Sequence, residues 1–248
     1  MDGNANNGAS PPDPLLFVEN PVEIEGVRYQ IGNAITDYRR DIGEGRILCI
    51  CHKLPSDGDA EPVESFVIKV KVQVPPRPAS DDPKEPLPGP SATTAAEWAA
   101  LQRFRDENTE GVPHLVAKKC VPQNGHGPWP GGYISYTIMT RMPGQDLMAA
   151  KFWSLDDGPK EELRQAFLTV LKSLWRLGIA PYDCALRNIM WESSTSRCSL
   201  VDFEHYNPAK DPINMYEREE MQLWGIVQRP AASHWAIEWG LIKEHNRV

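Results

Sequence analysis

The sequence predicts a two-lobed α+β protein, with a strand-rich first half followed by a mainly helical half. Three observations carry that expectation. Short alternating segments punctuated by glycine turns fill the first half, a proline-dense stretch interrupts them at 75–90, and helical periodicity takes over from Pro159. The order of strands first and helices second is what an α+β plan requires, with a cleft expected between lobes.

Residues 1–16 hold three Asn, two Gly and three Pro with little apolar content, so a disordered tail is expected there. Val22-Glu23-Ile24 and Val27–Ile31 flank Glu25-Gly26, a hairpin signal. Ala34–Ile42 and Arg46–Lys53 flank Gly43-Glu44-Gly45 and suggest a second hairpin. In Phe66–Val72 the even positions are apolar, which places Lys69, Lys71 and Gln73 together on the opposite strand face. The seven prolines of 75–90 remove backbone donors, so an extended surface excursion without a packed role is expected. Ala95–Arg105 reads as a helix, and Leu115–Val121 and Tyr133–Arg141 as strands. Pro159–Leu177 carries Leu163, Phe167, Val170, Leu171 and Leu174 on one helical stripe. Two strand-like runs follow, at 189–191 and 199–201, and the last thirty residues are again helical in pattern, with Trp235, Trp239 and Ile242 on one packed face.

Composition narrows the function. With 26 Lys and Arg against 34 Asp and Glu, the net charge of −8 argues against a nucleic-acid partner, which needs a basic surface. No apolar run approaches the ~18 residues of a membrane span, and Met1-Asp2-Gly3-Asn4 shows no secretory signal. Five cysteines at irregular spacing fit a reducing, cytoplasmic setting better than a disulfide framework. Cys49-x-Cys51-His52 lacks a second ligand pair and reads as buried structural thiols.

One constellation carries chemistry. Asp183 is followed five residues later by Asn188, and Asp202-Phe203-Glu204 follows the apolar run Leu200-Val201. This arrangement resembles the catalytic loop and metal-binding segment of the protein-kinase-like superfamily, where H-R-D-x-x-x-x-N precedes a short hairpin and D-F-G. Upstream, Val67-Ile68-Lys69 resembles V-A-I-K on its strand, and Glu97 opens the next helix where the family places the partner of that lysine. The correspondence runs over roughly residues 20–227.

The resemblance implies a kinase-like domain over 17–248, its N-lobe at about 17–141 and its C-lobe at about 145–248. It implies ATP and Mg²⁺ as cofactors and transfer of the γ-phosphoryl to a hydroxyl acceptor. Asp183 and Arg187 are then the catalytic candidates. Asn188 and Asp202 would supply oxygen ligands to the metal, while Lys69, Glu97, Gly43, Gly45 and the hinge residue Met139 would hold ATP. Three roles stay open. Lys71 shares the face of Lys69, so one of the two can simply be solvated. Thr94-Ala95-Ala96-Glu97 is also a capping box, in which the glutamate reaches back to the Thr94 amide. The glycine pair, likewise, reads equally as an ordinary hairpin turn.

Departures from the family pattern shape the rest. Pro181 stands where the loop histidine belongs, and Leu48 where the third glycine belongs. Only about twenty residues separate Asp202 from Leu223-Trp224-Gly225, too few for a long activation segment. Asp-Phe-Glu and Met142-Pro143-Gly144-Gln145-Asp146-Leu147 resemble aminoglycoside and choline kinase relatives. A small-molecule acceptor is therefore favoured over a protein. The alternative is a pseudokinase, a nucleotide-binding or scaffolding module with a protein partner.

Overall fold

The computed structural model describes residues 14–55, 64–77, 81–209 and 216–227. Among these the chain is a mixed α/β protein with a β-rich sheet region and three α-helices, none long and apolar enough to cross a membrane. Its contacts divide into two units, Met1–Thr94 with Leu115–Thr140, and Ala95–His114 with Arg141–Val248.

The first unit holds β1 (Val22–Ile24), β2 (Val27–Ala34), β3 (Arg39–Asp41), β4 (Glu44–Lys53) and β5 (Ser65–Gln73); helix α1 (Ala92–Asp106) follows and from Ala95 on belongs to the second unit. After the helix come β6 (Leu115–Pro122) and β7 (Tyr133–Thr140). They form one antiparallel sheet of order β1-β2-β4-β5-β7-β6, with β3 added beside β4. The first turn works as its sequence suggests. Glu25 and Gly26 both take positive φ, 52° and 78°, the mirror-image turn that matches strand twist. One sheet face is the core: Ile24, Tyr29, Ile31, Cys49, Cys51, Ile68, Val70 and Ile138 pack there. Burial, and secondarily the neighbouring Cys49, pushes the Cys51 thiol up to about 12, so both cysteines act as packed apolar groups.

The opposite face of β5 is not solvated. Lys69, Lys71 and Gln73 are all buried. Part of their cover is the proline-dense segment, which was expected to pack on nothing. Gln73 donates to the Glu85 carbonyl at 3.2 Å and accepts from the Leu87 amide at 2.8 Å. Gln123 then donates to the Gln73 carbonyl at 2.7 Å and the Tyr133 carbonyl at 3.1 Å. Proline removed donors from this segment, but its carbonyls and its few non-proline amides still found buried partners. Likewise, Pro14–Phe17 forms a short 3₁₀ turn, with Leu15 against the sheet core, where a loose tail was expected. Residues 1–13 and the closing helix expected around Trp235, Trp239 and Ile242 lie outside the described residues.

In the second unit β8 (Gln145–Asp146) precedes α2 (Asp157–Arg176), β9 (Ile179–Pro181), β10 (Ile189–Glu192), β11 (Arg197–Leu200), β12 (Tyr206–Pro208) and α3 (Glu217–Leu223). The apolar stripe of α2, with Leu163, Phe167, Val170, Leu171 and Leu174, is buried. Gly111 has φ +73°, and a Cβ there would overlap the Val170 side chain, so glycine lets that loop lie on α2. Its carbonyl takes the Leu200 amide at 2.8 Å. The short strands β8, β9 and β12 were not legible as alternating patterns, because two or three residues contain no period.

Gln73→Ala removes two buried hydrogen bonds to the proline segment and should cost about 1–3 kcal/mol, read as a lower urea midpoint. Alkaline pH should also destabilise the fold. Cys51, Cys198 and Tyr136 hold their protons up to about 12 when folded, against ordinary values of 9.0 and 10.0. The folded state therefore binds more protons, so stability is full below pH 9 and declines as pH rises toward about 12. Urea midpoints measured from pH 8 upward check this; a flat profile contradicts it.

Candidate functional site

The second unit builds its acidic site from one closed circuit of chain. β10 and β11 pair antiparallel from Ile189↔Leu200 to Glu192↔Arg197. One step beyond the hairpin's open end, Val201 donates its amide to the Asn188 carbonyl at 3.0 Å. Asn188 and Asp202 are thereby adjacent in space although fourteen residues apart in sequence. β12 returns to pair with β9, Tyr206 opposite Pro181, and Tyr182 donates its amide to the His205 carbonyl at 3.0 Å. The two loops that carry Asp183 and Asp202 are therefore held at both ends. Pro181, which replaces the expected histidine, sits in this two-strand ladder, and backbone pairing braces the loop there.

Within the loop, three of the sequence candidates meet. Arg187 donates to both carboxylate oxygens of Asp183, at 3.0 and 2.8 Å. Asn188, itself buried, donates from its side-chain nitrogen to the Asp183 carbonyl at 2.9 Å and to its Oδ2 at 3.1 Å. With that nitrogen so committed, the Asn188 side chain has its amide oxygen left to offer, a hard acceptor. Arg187 thus orients the Asp183 carboxylate, which remains partly exposed, at 34%.

Asp202 has φ +68°, a left-handed conformation that aspartate tolerates better than most residues. Its neighbour Phe203 is buried edge-on against Phe104 of α1, ring centroids 4.7 Å apart. That packing places α1 beside the Asp202 segment. Glu97, Asp202 and Glu204 consequently bring carboxylate oxygens within 4.8 Å of one another. Glu97 and Glu204 are 1% and 5% exposed. Three clustered carboxylates form a hard oxygen donor set of the kind that suits Mg²⁺. In the sequence Glu204 stands out only as a departure from D-F-G, with no signal of a ligand role. The capping role for Glu97 falls away. α1 begins at Ala92, and Ser91 Oγ accepts the Thr94 amide at 3.3 Å, so Glu97 lies a turn inside the helix.

The first unit carries the remaining candidates. Lys69 on β5 lies between Leu48 of β4 and Thr137 of β7 and is 3% exposed. Lys71 is not the solvated alternative: it is 2% exposed, 3.3 Å from the Glu44 carboxylate and 3.2 Å from Thr93 Oγ1. Tyr133 donates its hydroxyl to Glu44 as well. Burial first, then the Glu44 carboxylate, pushes the Tyr133 hydroxyl far above its ordinary pKa. This Lys71–Glu44–Tyr133 network had no signal in the sequence, since its members come from three strands. Met139 is buried near the end of β7, opposite Val67 and Leu115. The two glycines do not present bare backbone. Gly43 donates its amide to Asp82 at 2.9 Å, and a Cβ at Gly45 would overlap the Tyr38 ring.

No protein-family model matches the chain, and no curated protein matches it. Among solved structures it is similar to the kinase PK-1 of the Cydia pomonella granulovirus, at 17% sequence identity and a TM-score of 0.46. The match covers 73% of this chain and 52% of that one, so the chain spans about half the length of the viral kinase. What the chain can do follows from its own residues.

Lys71→Met leaves Glu44 charged and buried without its ammonium partner. Breaking a buried pair from one side should cost about 3–5 kcal/mol, seen as a large fall in urea midpoint. A variant as stable as wild type would mean that the pair contributes nothing.

Proposed function

We propose that this chain is a Mg-ATP-dependent phosphotransferase that moves the γ-phosphoryl group to a hydroxyl acceptor, with a small molecule favoured over a protein. The observation that carries the proposal is the junction of Asp183, Asn188 and Asp202 at the open end of one hairpin. Mg²⁺, when bound, would supply positive charge that neutralises the phosphates. Asn188 and Asp202 would hold it, and Glu97 and Glu204 add hard oxygens at the same place. Asp183 would orient the acceptor hydroxyl and take its proton, with its carboxylate direction set by Arg187. Lys69 would hold the α- and β-phosphates. Met139 would lie beside the nucleotide.

A second reading, a pseudokinase that binds nucleotide or partner without turnover, draws on the first unit. The Gly43 amide is occupied by Asp82 and the space over Gly45 by Tyr38.

Two substitutions separate the readings. Asp202→Asn suits the left-handed backbone and removes one charge, so it should weaken Mg-ATP binding and abolish ATP consumption without unfolding the chain. Asp183→Asn should leave Mg-ATP affinity within a few-fold while lowering turnover by about 10²–10⁴. Calorimetry gives the first quantity and ATP consumption, with and without candidate alcohols, the second. Turnover by Asp183→Asn equal to wild type would remove the catalytic assignment. Binding without any turnover in wild type would leave the pseudokinase.

A further inference from the structure

The Asp82 carboxylate has surroundings unusual for a residue in a proline-rich loop. It is 2% exposed. Its Oδ1 accepts the Gly43 amide at 2.9 Å, and its Oδ2 accepts the Arg77 amide at 2.8 Å. Two guanidinium groups approach Oδ2, Arg40 at 3.3 Å and Arg77 at 3.5 Å. Arg40 also donates to the Pro75 carbonyl, which fixes its direction. Two backbone N–H groups and two guanidinium groups converging on one anion are the donor set that binds a phosphate group. The site sits on the β3–β4 turn, whose residue Gly43 has φ +63°. A Cβ at Gly43 would come within 2.6 Å of the Pro83 ring, so glycine here is what lets Asp82 and Pro83 lie against the turn.

We propose that the β3–β4 turn, with Arg40 and Arg77, forms a phosphate-binding site that Asp82 fills as an internal stand-in, so that polyphosphate must displace Asp82 to bind. The proposal deepens the nucleotide-binding reading above, on which the choice of polyphosphate as the displacing ligand rests. A charged carboxylate tethered in the site competes at high effective concentration, so only the fraction of molecules with Asp82 displaced is competent to bind. Gln73, by holding Glu85 and Leu87, anchors the same segment a few residues on.

Calorimetric titration of the full chain with inorganic tripolyphosphate tests this. Asp82→Ala should bind the probe about tenfold or more tightly than wild type, because the competing carboxylate is gone. Asp82→Asn, which keeps an acceptor for the Gly43 amide but loses the charge, should gain less. Adding Arg40→Gln to Asp82→Ala should abolish the gain. If Asp82→Ala does not show a cooperative urea transition, Asp82→Asn carries the test. Equal affinity in wild type and in the folded variants overturns the proposal, as does a gain that survives Arg40→Gln. Tighter tripolyphosphate binding in a chain that shows no Mg-ATP turnover would support the Asp82 site and sink the phosphotransferase reading. Turnover present with tripolyphosphate affinity unchanged by Asp82→Ala would do the reverse.

Discussion

The side chain of Asn188 holds the acidic site together. Its nitrogen reaches the carbonyl and the carboxylate of Asp183, while the backbone carbonyl of the same residue receives the amide of Val201 from the far side of a hairpin. One residue therefore sets the shape of the first loop and the position of the second. Because Asn188 is buried, each of these bonds forms in a low-dielectric setting, where losing one leaves a polar group without water to replace it. The left-handed turn at Asp202 follows directly, since the chain must leave the ladder at Val201 and still bury Phe203 against Phe104.

The first unit depends on a different constraint, the burial of charge on a central strand. β5 has strands on both sides and a core on one face, and its other face carries two lysines. An ammonium group removed from water needs a compensating anion nearby. For Lys71 that anion is Glu44, the first residue of β4, which also receives the Tyr133 hydroxyl. Glu44 sits directly beside the β3–β4 turn. The same hairpin thus neutralises a buried lysine with one residue and lends an amide to Asp82 with the preceding one. A substitution at either position should be felt by the other, because both restrain the same short turn.

Much of this was legible from residue order. The Glu25-Gly26 turn, the period-two pattern of Phe66–Val72 and the stripe of α2 each state a local preference that the structure keeps. The spacing of Asp183, Asn188 and Asp202 was legible too, because a loop and a hairpin are both short-range objects. The proline segment was misjudged for a physical reason. Proline content reports missing donors, whereas the packing of 81–87 is set by acceptors and by Asp82 and its distant partners. Glu97 was ambiguous for a similar reason: Thr94 fits a cap, but Ser91 lies one turn earlier and captures the Thr94 amide first.

The sequence by itself determined the secondary structure of the longer elements and the spacing of Asp183, Asn188 and Asp202. Periodicity and turn propensity act over a few residues, and both are written in the local order. The tertiary structure alone decided which charges share an environment. It buried Lys71 with Glu44 and Tyr133, gathered Glu97 with Asp202 and Glu204, and set Asp82 on the Gly43 amide. Each pairing joins residues separated by tens of positions. The Coulomb and desolvation energies that make such pairings matter depend on distance and burial in space, which no local pattern encodes.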